Sequence, residues 1–170
     1  MVAGEINVPH FRHSRDAACD LREAGRDTGG AYAHMAYQRA LQAWVIGQGH
    51  TAQIEHTFAD KGGRADLHVH VDGTEQSIEV QLTAISTGEW TERTRRYSKY
   101  VSKVTWLHGP RSKDTREVDR LRGDYSLTID TLEGRVRIGT FWENEPAWSD
   151  LALCKIDADG IWTPDLAAAT

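Results

Sequence analysis

The chain has 170 residues, of which 39% are hydrophobic and six are tryptophan, and this is enough for one domain with a buried core. Its formal net charge of -5 argues against a protein that coats nucleic acid through overall charge. Because the sequence has no apolar run at its N-terminus or of membrane-span length, we expect a soluble, cytoplasmic protein with no membrane partner, whose cysteines, Cys19 and Cys154, are reduced.

The first predicted elements are an N-terminal arm and a helix. Residues 1–30 are polar and lack periodicity, so we expect an arm or a short helix that ends at the Gly29-Gly30 break. From Ala31, apolar residues recur with helical spacing until Gly47, which predicts an amphipathic helix. His34 and Gln38 lie one turn apart beside its apolar stripe.

Three strands are expected next, because apolar and polar residues alternate. The polar residues Asp66 and Glu79 fall on two of these strands, on either side of an Asp72-Gly73 turn signal. If the turn centres near residues 73 and 74, Asp66 lies opposite Gln81 and one diagonal step from Glu79. The earlier strand, which a Lys61-Gly62-Gly63 turn joins to the strand of Asp66, would bring Glu55 to the rim of the same polar face.

A second helix and a fourth strand complete the predicted core. Ser86 and Glu89 fit a capping box, so the helix begins there and carries Arg93 one turn before Tyr97. The apolar run of residues 104–107 predicts a buried strand, parallel to a neighbour. We therefore expect an α/β core over residues 31–110. Residues 111–170 should form a β-rich C-terminal extension packed on it, with a hairpin around Glu133-Gly134.

Basic residues concentrate in the middle of the chain. They are Arg93, Arg95, Arg96, Lys99, Lys103, Arg111, Lys113, Arg116, Arg120 and Arg122. Such a group can form a local phosphate-binding surface, or it can be the solvated face of an amphipathic helix, and the pattern leaves both interpretations open.

The order of elements, together with Glu55, Arg64-Ala65-Asp66 and Glu79-Val80-Gln81, resembles the PD-(D/E)xK nuclease superfamily. Further residues make the chain similar to the competence protein CoiA-like family: His10-Phe11-Arg12-His13, His34, Ile78, Ile85-Ser86, Arg93 with Tyr97, and Trp106-Leu107. The resemblance implies a restriction-endonuclease-like core of helix, three-stranded meander, helix and strand, followed by a small C-terminal β extension.

The resemblance also implies an activity and a set of residues. It implies an endonuclease or exonuclease that hydrolyses DNA phosphodiester bonds with Mg2+, or with Mn2+ in its place. The metal ligands would be Asp66, Glu79 and the Val80 carbonyl; the catalytic residues Glu55, Asp66, Glu79 and Gln81; and the substrate-binding residues His34, Gln38, Arg93, Arg96 and Lys99. The superfamily has a Lys where this chain has Gln81, although CoiA-like members are similar in carrying Gln there. At the position of Gln38, the family pattern looks more like a Lys.

Other interpretations remain open. A half-buried sheet places polar residues on its outer face in any case, and the same fold can bind DNA or a protein without catalysis. His10, His13 and Cys19 have the spacing of a zinc half-site, but they are too few for a closed tetrahedral site, so we do not expect zinc there. A homodimer is also left open.

Overall fold

The alternating segments of the sequence form a mixed sheet flanked by helices in the computed structural model, which describes residues 28–59 and 62–169. This confirms a mixed α/β fold. The candidate zinc residues His10, His13 and Cys19, and most of the predicted arm, lie outside the described residues.

Four helices are described: α1 (Thr28–Gly47), α2 (Thr87–Tyr97), α3 (Lys113–Gly123) and α4 (Pro164–Ala169). The strands are β1 (Thr51–Thr57), β2 (Arg64–Val71), β3 (Thr74–Gln81), β4 (Lys103–His108), β5 (Ser126–Leu132), β6 (Arg135–Phe141), β7 (Ala147–Asp150), β8 (Lys155–Asp157) and β9 (Gly160–Trp162). A 3-10 turn, Leu151–Leu153, follows β7. None of the described helices is long and apolar enough to cross a membrane.

Seven of the strands form one sheet in the order β1 to β7. β4 pairs in parallel with β3, as the sequence predicts, and also with β5. The other neighbours are antiparallel, including the predicted hairpin of β5 and β6 around Glu133 and Gly134. Strands β5 to β7 extend the sheet that holds the predicted core, whereas β8 and β9 pair with each other in a separate two-stranded sheet.

Two apolar clusters hold the helices to the sheet. The larger joins Leu41 and Val45 of α1 to the buried residues of β2, β3 and the strands beyond them. The smaller joins Tyr97 of α2 to Phe58 and Ala65, at the end of the sheet where β1 meets β2. Both helices are therefore fixed by burial of apolar surface, and the polar residues of β2 and β3 lie between them.

The register between β2 and β3 corrects one prediction. Val71 pairs with Thr74, so the central turn residues are Asp72 and Gly73, both with positive φ (49° and 82°), as a tight hairpin turn requires. Leu67 then pairs with Ile78, and one further step in the same register places Asp66 opposite Glu79. The prediction that Asp66 lies opposite Gln81 is wrong, because the turn centres one residue earlier than expected and each such shift moves the partner by two residues.

Candidate active site

Asp66 on β2 is held by the first helix and by the neighbouring strand. His34 Nε2 lies 3.1 Å from Asp66 Oδ2, and Gln38 Nε2 donates to Asp66 Oδ1 over 3.3 Å. The backbone N–H of Val80 donates to Asp66 Oδ2 over 2.8 Å. The predicted helix residues His34 and Gln38 therefore do meet the predicted carboxylate, and they orient it.

Glu79 on β3 is held by the second helix. Its side chain is fully buried, with 0% exposure, and Arg93 Nη2 lies 3.0 Å from its Oε2. Its Oε1 accepts from the backbone N–H of Asp66 over 3.2 Å. Each of the two facing carboxylates is therefore contacted by a different helix, Asp66 by α1 and Glu79 by α2.

Gln81 lies two residues beyond Glu79 on the same strand and is also buried. Its Oε1 accepts from Arg93 Nη1 over 3.3 Å. Its amide nitrogen donates to the carbonyl of Thr83 over 2.7 Å. Arg93 therefore bridges the side chains of Glu79 and Gln81.

Burial and nearby charges shift the pKa values of Glu79 and His34. The pKa of Glu79 is raised well above its usual value, first because burial removes water from the carboxylate and then because Asp66 is close, although Arg93 opposes both effects. The pKa of His34 is raised as well, mainly by its hydrogen bond to Asp66, against a lowering by burial. A backbone hydrogen bond to Val80 also raises the pKa of His34, which places an acceptor, the Val80 carbonyl, beside the ring.

Aromatic residues of α2 and β4 set the position of Arg93. The Tyr97 hydroxyl donates to the carbonyl of Arg64, two residues before Asp66, over 2.7 Å. Trp106 Nε1 donates to Thr94 Oγ1 over 3.0 Å, which ties the middle of α2 to β4. These two hydrogen bonds fix α2 near Thr94 and Tyr97. Arg93, which precedes Thr94, contacts Glu79 and Gln81 of β3.

Glu55 lies apart from the two facing carboxylates. It is exposed, and its carboxylate pairs with Arg64 Nη1 over 3.4 Å. Its backbone has a positive φ of 54°, and it is skipped in the pairing of β1 with β2, where Ile54 pairs with Leu67 and His56 with Ala65. Its charge still contributes to the raised pKa of His34, so Glu55 lies at the rim of the site.

The remaining predicted substrate-binding residues lie on or just after α2. Arg96 is half-buried, with its guanidinium 5.8 Å from the centre of the Tyr97 ring. Lys99 is exposed. Both follow Arg93 along the chain, Arg96 one turn later on α2 and Lys99 just after the helix ends.

A hard cation fits the oxygen atoms present. Within residues 28–59 and 62–169 no group of three or more His, Cys, Asp or Glu side chains is arranged to hold a metal. The ligands that the sequence predicts, the Asp66 and Glu79 carboxylates with the Val80 carbonyl, carry oxygen atoms of the kind that Mg2+ binds, and Mg2+ commonly takes only one or two protein carboxylates and keeps several waters. A cation at this place would also offset the repulsion that raises the pKa of Glu79.

Two residues that the sequence did not single out support Gln81. The backbone N–H of Gly109 and the hydroxyl of Ser112 both donate to the Gln81 carbonyl, over 2.8 and 2.9 Å. Ser112 is buried and precedes α3. No pattern in the sequence indicated that the chain after β4 contacts β3 at these two residues.

Comparison with family models gives a match over residues 31–124 to the competence protein CoiA, nuclease-like domain. The match covers more than half of the chain. The chain belongs to this family. No curated protein and no solved structure matches it. The CoiA nuclease-like domain extends from α1 to the end of α3 and contains Asp66, Glu79, Gln81 and every other predicted site residue.

Proposed function

We propose that the protein is a metal-dependent nuclease that hydrolyses DNA phosphodiester bonds, on a restriction-endonuclease-like core made by α1, β1 to β3, α2 and β4. The observation that carries the proposal is the Asp66–Glu79 pair, in which a buried carboxylate of raised pKa faces a second carboxylate on the next strand. Membership of the CoiA nuclease-like family supports a nuclease-like function for the same part of the chain.

Mg2+ is the proposed cofactor, with Mn2+ as a substitute. Asp66, Glu79 and the Val80 carbonyl would hold it, because carboxylate and carbonyl oxygens are the ligands that these ions prefer. When bound, the ion would polarise a phosphoryl oxygen and lower the pKa of a water molecule.

The protein's own residues would orient and bind. His34 and Gln38 hold both oxygens of Asp66, so the carboxylate is set in place before substrate arrives. Glu55, at the rim, would accept a proton from water or add an oxygen ligand. Arg93, Arg96 and Lys99 would contact DNA phosphates, which position the strand without reading its sequence.

A second candidate function is DNA or protein binding without catalysis. It is favoured by the hydrogen bonds that already occupy the site, since Arg93 holds Glu79 while His34 and Gln38 hold Asp66. It is also favoured by Gln81, which carries no charge where the superfamily has a Lys.

The test is cleavage of supercoiled plasmid and single-stranded DNA with Mg2+ or Mn2+. We expect the wild type to cut, and Asp66→Asn and Glu79→Gln to cut at least about 100-fold more slowly. Asp72→Asn, a matched change in the exposed β2–β3 turn, should cut like the wild type. A wild type that binds DNA and never cuts it would favour the second candidate, and variants that cut at the wild-type rate would exclude Asp66 and Glu79 as the site.

A further inference from the structure

We propose that Arg93 supplies the positive charge at the scissile phosphate that Gln81 does not provide, so that the catalytic cation of this site comes from the second helix. This assignment rests on the proposed nuclease function. It goes beyond general phosphate binding, because it gives Arg93 a role in the reaction itself.

The orientation of Gln81 leaves this role open. Its amide nitrogen donates to the Thr83 carbonyl over 2.7 Å and lies 3.3 Å from Thr83 Oγ1. Its oxygen, not its nitrogen, faces Arg93. Gln81 therefore presents an acceptor toward the site, and an acceptor cannot stabilise the negative charge of a phosphate.

Arg93 places its charge where a lysine at position 81 would place it. Glu79 and Gln81 share one face of β3, since alternate residues of a strand point the same way. The guanidinium of Arg93 reaches both, with Nη2 3.0 Å from Glu79 Oε2 and Nη1 3.3 Å from Gln81 Oε1. Helix α2 thus places the positive charge of Arg93 beside Glu79, the proposed metal ligand, although β3 carries no cation at position 81.

The guanidinium is held in place and yet accessible. Its central carbon lies 5.1 Å from the Trp106 ring centre and 6.0 Å from that of Tyr97, within the range of cation–π attraction. The side chain is 24% exposed, so N–H groups that do not face Glu79 or Gln81 can reach a substrate. An arginine keeps its charge throughout the physiological pH range.

Two neighbouring arginines are engaged elsewhere. Arg64 pairs with Glu55 at the exposed edge, over 3.4 Å. Arg95 pairs with Glu92 on the outer surface of α2, over 2.8 Å. Of these arginines it is Arg93 whose guanidinium bonds to Glu79.

The reaction needs no further reagent. The oxygen of a water molecule forms a bond to phosphorus and the bond from phosphorus to the leaving ester oxygen breaks. One water proton passes to a base or to solvent, and the leaving oxygen takes up a proton. Negative charge grows on the phosphoryl oxygens between these events, and Arg93 would donate hydrogen bonds to one of them.

The test is steady-state cleavage of labelled DNA over a range of DNA concentrations, which gives kcat and KM separately. Arg93→Gln should lower kcat about 100- to 1,000-fold and change KM little, the expected loss of one transition-state donor. Arg93→Lys should retain part of the rate. Arg135→Gln, which changes an exposed arginine at the start of β6 that pairs with Asp150, should leave the rate unchanged.

A pair of double variants separates charge from structure. Arg93→Gln with Gln81→Lys restores a cation on β3, whereas Arg93→Gln with Gln81→Met has a side chain of similar length without charge. We expect the first to cut at least about tenfold faster than the second. Melting temperatures show which variants fold, and this pair decides the question even if Arg93→Gln alone is unstable because Glu79 lacks a partner.

The outcomes are distinct. A wild type that cuts DNA and an Arg93→Gln that cuts equally fast would overturn the assignment and leave the proposed function standing. Equal rates in the two double variants would also overturn it. A wild type that cuts nothing would overturn the proposed function, and the assignment with it.

Discussion

His34 and Asp66 are 32 residues apart in the sequence and meet over 3.1 Å, between Nε2 and Oδ2. This contact joins α1 to the strand that carries the proposed metal ligand. It is also the largest cause of the raised pKa of His34, while burial acts in the opposite direction. The contact therefore has a measurable signature in the titration of one imidazole.

The pKa of His34 should depend on Asp66. In the wild type it should lie above the ordinary value of 6.5, and in Asp66→Asn it should fall, because the hydrogen bond and charge of Asp66 that raise it are lost while burial still lowers it. An NMR titration that follows the carbon-bound protons of the His34 ring measures both pKa values. An unchanged pKa in Asp66→Asn would show that the contact does not form in solution.

The same shift predicts how stability depends on pH. Because the folded pKa of His34 is raised above 6.5, its contribution to the free energy of unfolding is complete below about pH 6.5 and is lost as the pH rises through the folded pKa. The difference in free energy of unfolding between wild type and His34→Gln should therefore shrink from pH 5.5 to pH 8, measured by urea denaturation. A difference that grows over this range would contradict the sign.

The start of α2 should depend on one hydroxyl. Ser86 Oγ accepts from the backbone N–H of Glu89 over 3.1 Å, which confirms the predicted N-cap of the helix that carries Arg93. Ser86→Ala should lower the free energy of unfolding by about 1 kcal/mol, the usual loss for such a cap. Thr87→Ala, at the exposed next residue, should change it by less than about 0.5 kcal/mol. Equal losses in both variants in urea denaturation would argue against the cap.

The thiol of Cys154 should be unreactive in the folded protein. It is 4% exposed, and burial together with the charge of Asp150 raises its pKa to about 11. In a Cys19→Ser background, which leaves one thiol, alkylation by iodoacetamide at pH 8 should be at least about 100-fold slower in the folded than in the urea-unfolded protein. Similar rates in both states would contradict this burial.

Because the pKa of Cys154 is raised in the folded protein, the free energy of unfolding should also fall as the pH rises from about 9 to about 11.

Much of the site follows from local patterns in the sequence. Alternation alone predicts β2 and β3 and places Asp66 and Glu79 on polar positions of facing strands, and the Ser86 cap predicts where α2 begins. The pairing of Asp66 with Glu79 was not predicted, because it depends on the conformation of one turn residue. Asp72 takes a left-handed conformation, with φ of 49°, and this moves the turn by one position.

Other features depend on packing between distant elements. Helix α3 was missed because its sequence is almost entirely polar: Thr115 is its buried residue, and Leu121 is 68% exposed. The bridge from Arg93 to Glu79 and Gln81 was not predictable either, since it requires α2 to pack against Trp106 of β4 before its side chain can reach β3. Hydrophobic periodicity and capping signals describe single helices and strands, so they do not show how α2 packs against β4.

The central claim is that Asp66 and Glu79 hold one divalent cation, and a titration with Mn2+, followed by the electron paramagnetic resonance signal of the free ion, tests it most directly. We predict one bound Mn2+ per chain, displaced by Mg2+, with affinity at least about tenfold weaker in Asp66→Asn and in Glu79→Gln and unchanged in Asp72→Asn. Equal affinity in all four proteins, or no binding by the wild type, would contradict the account.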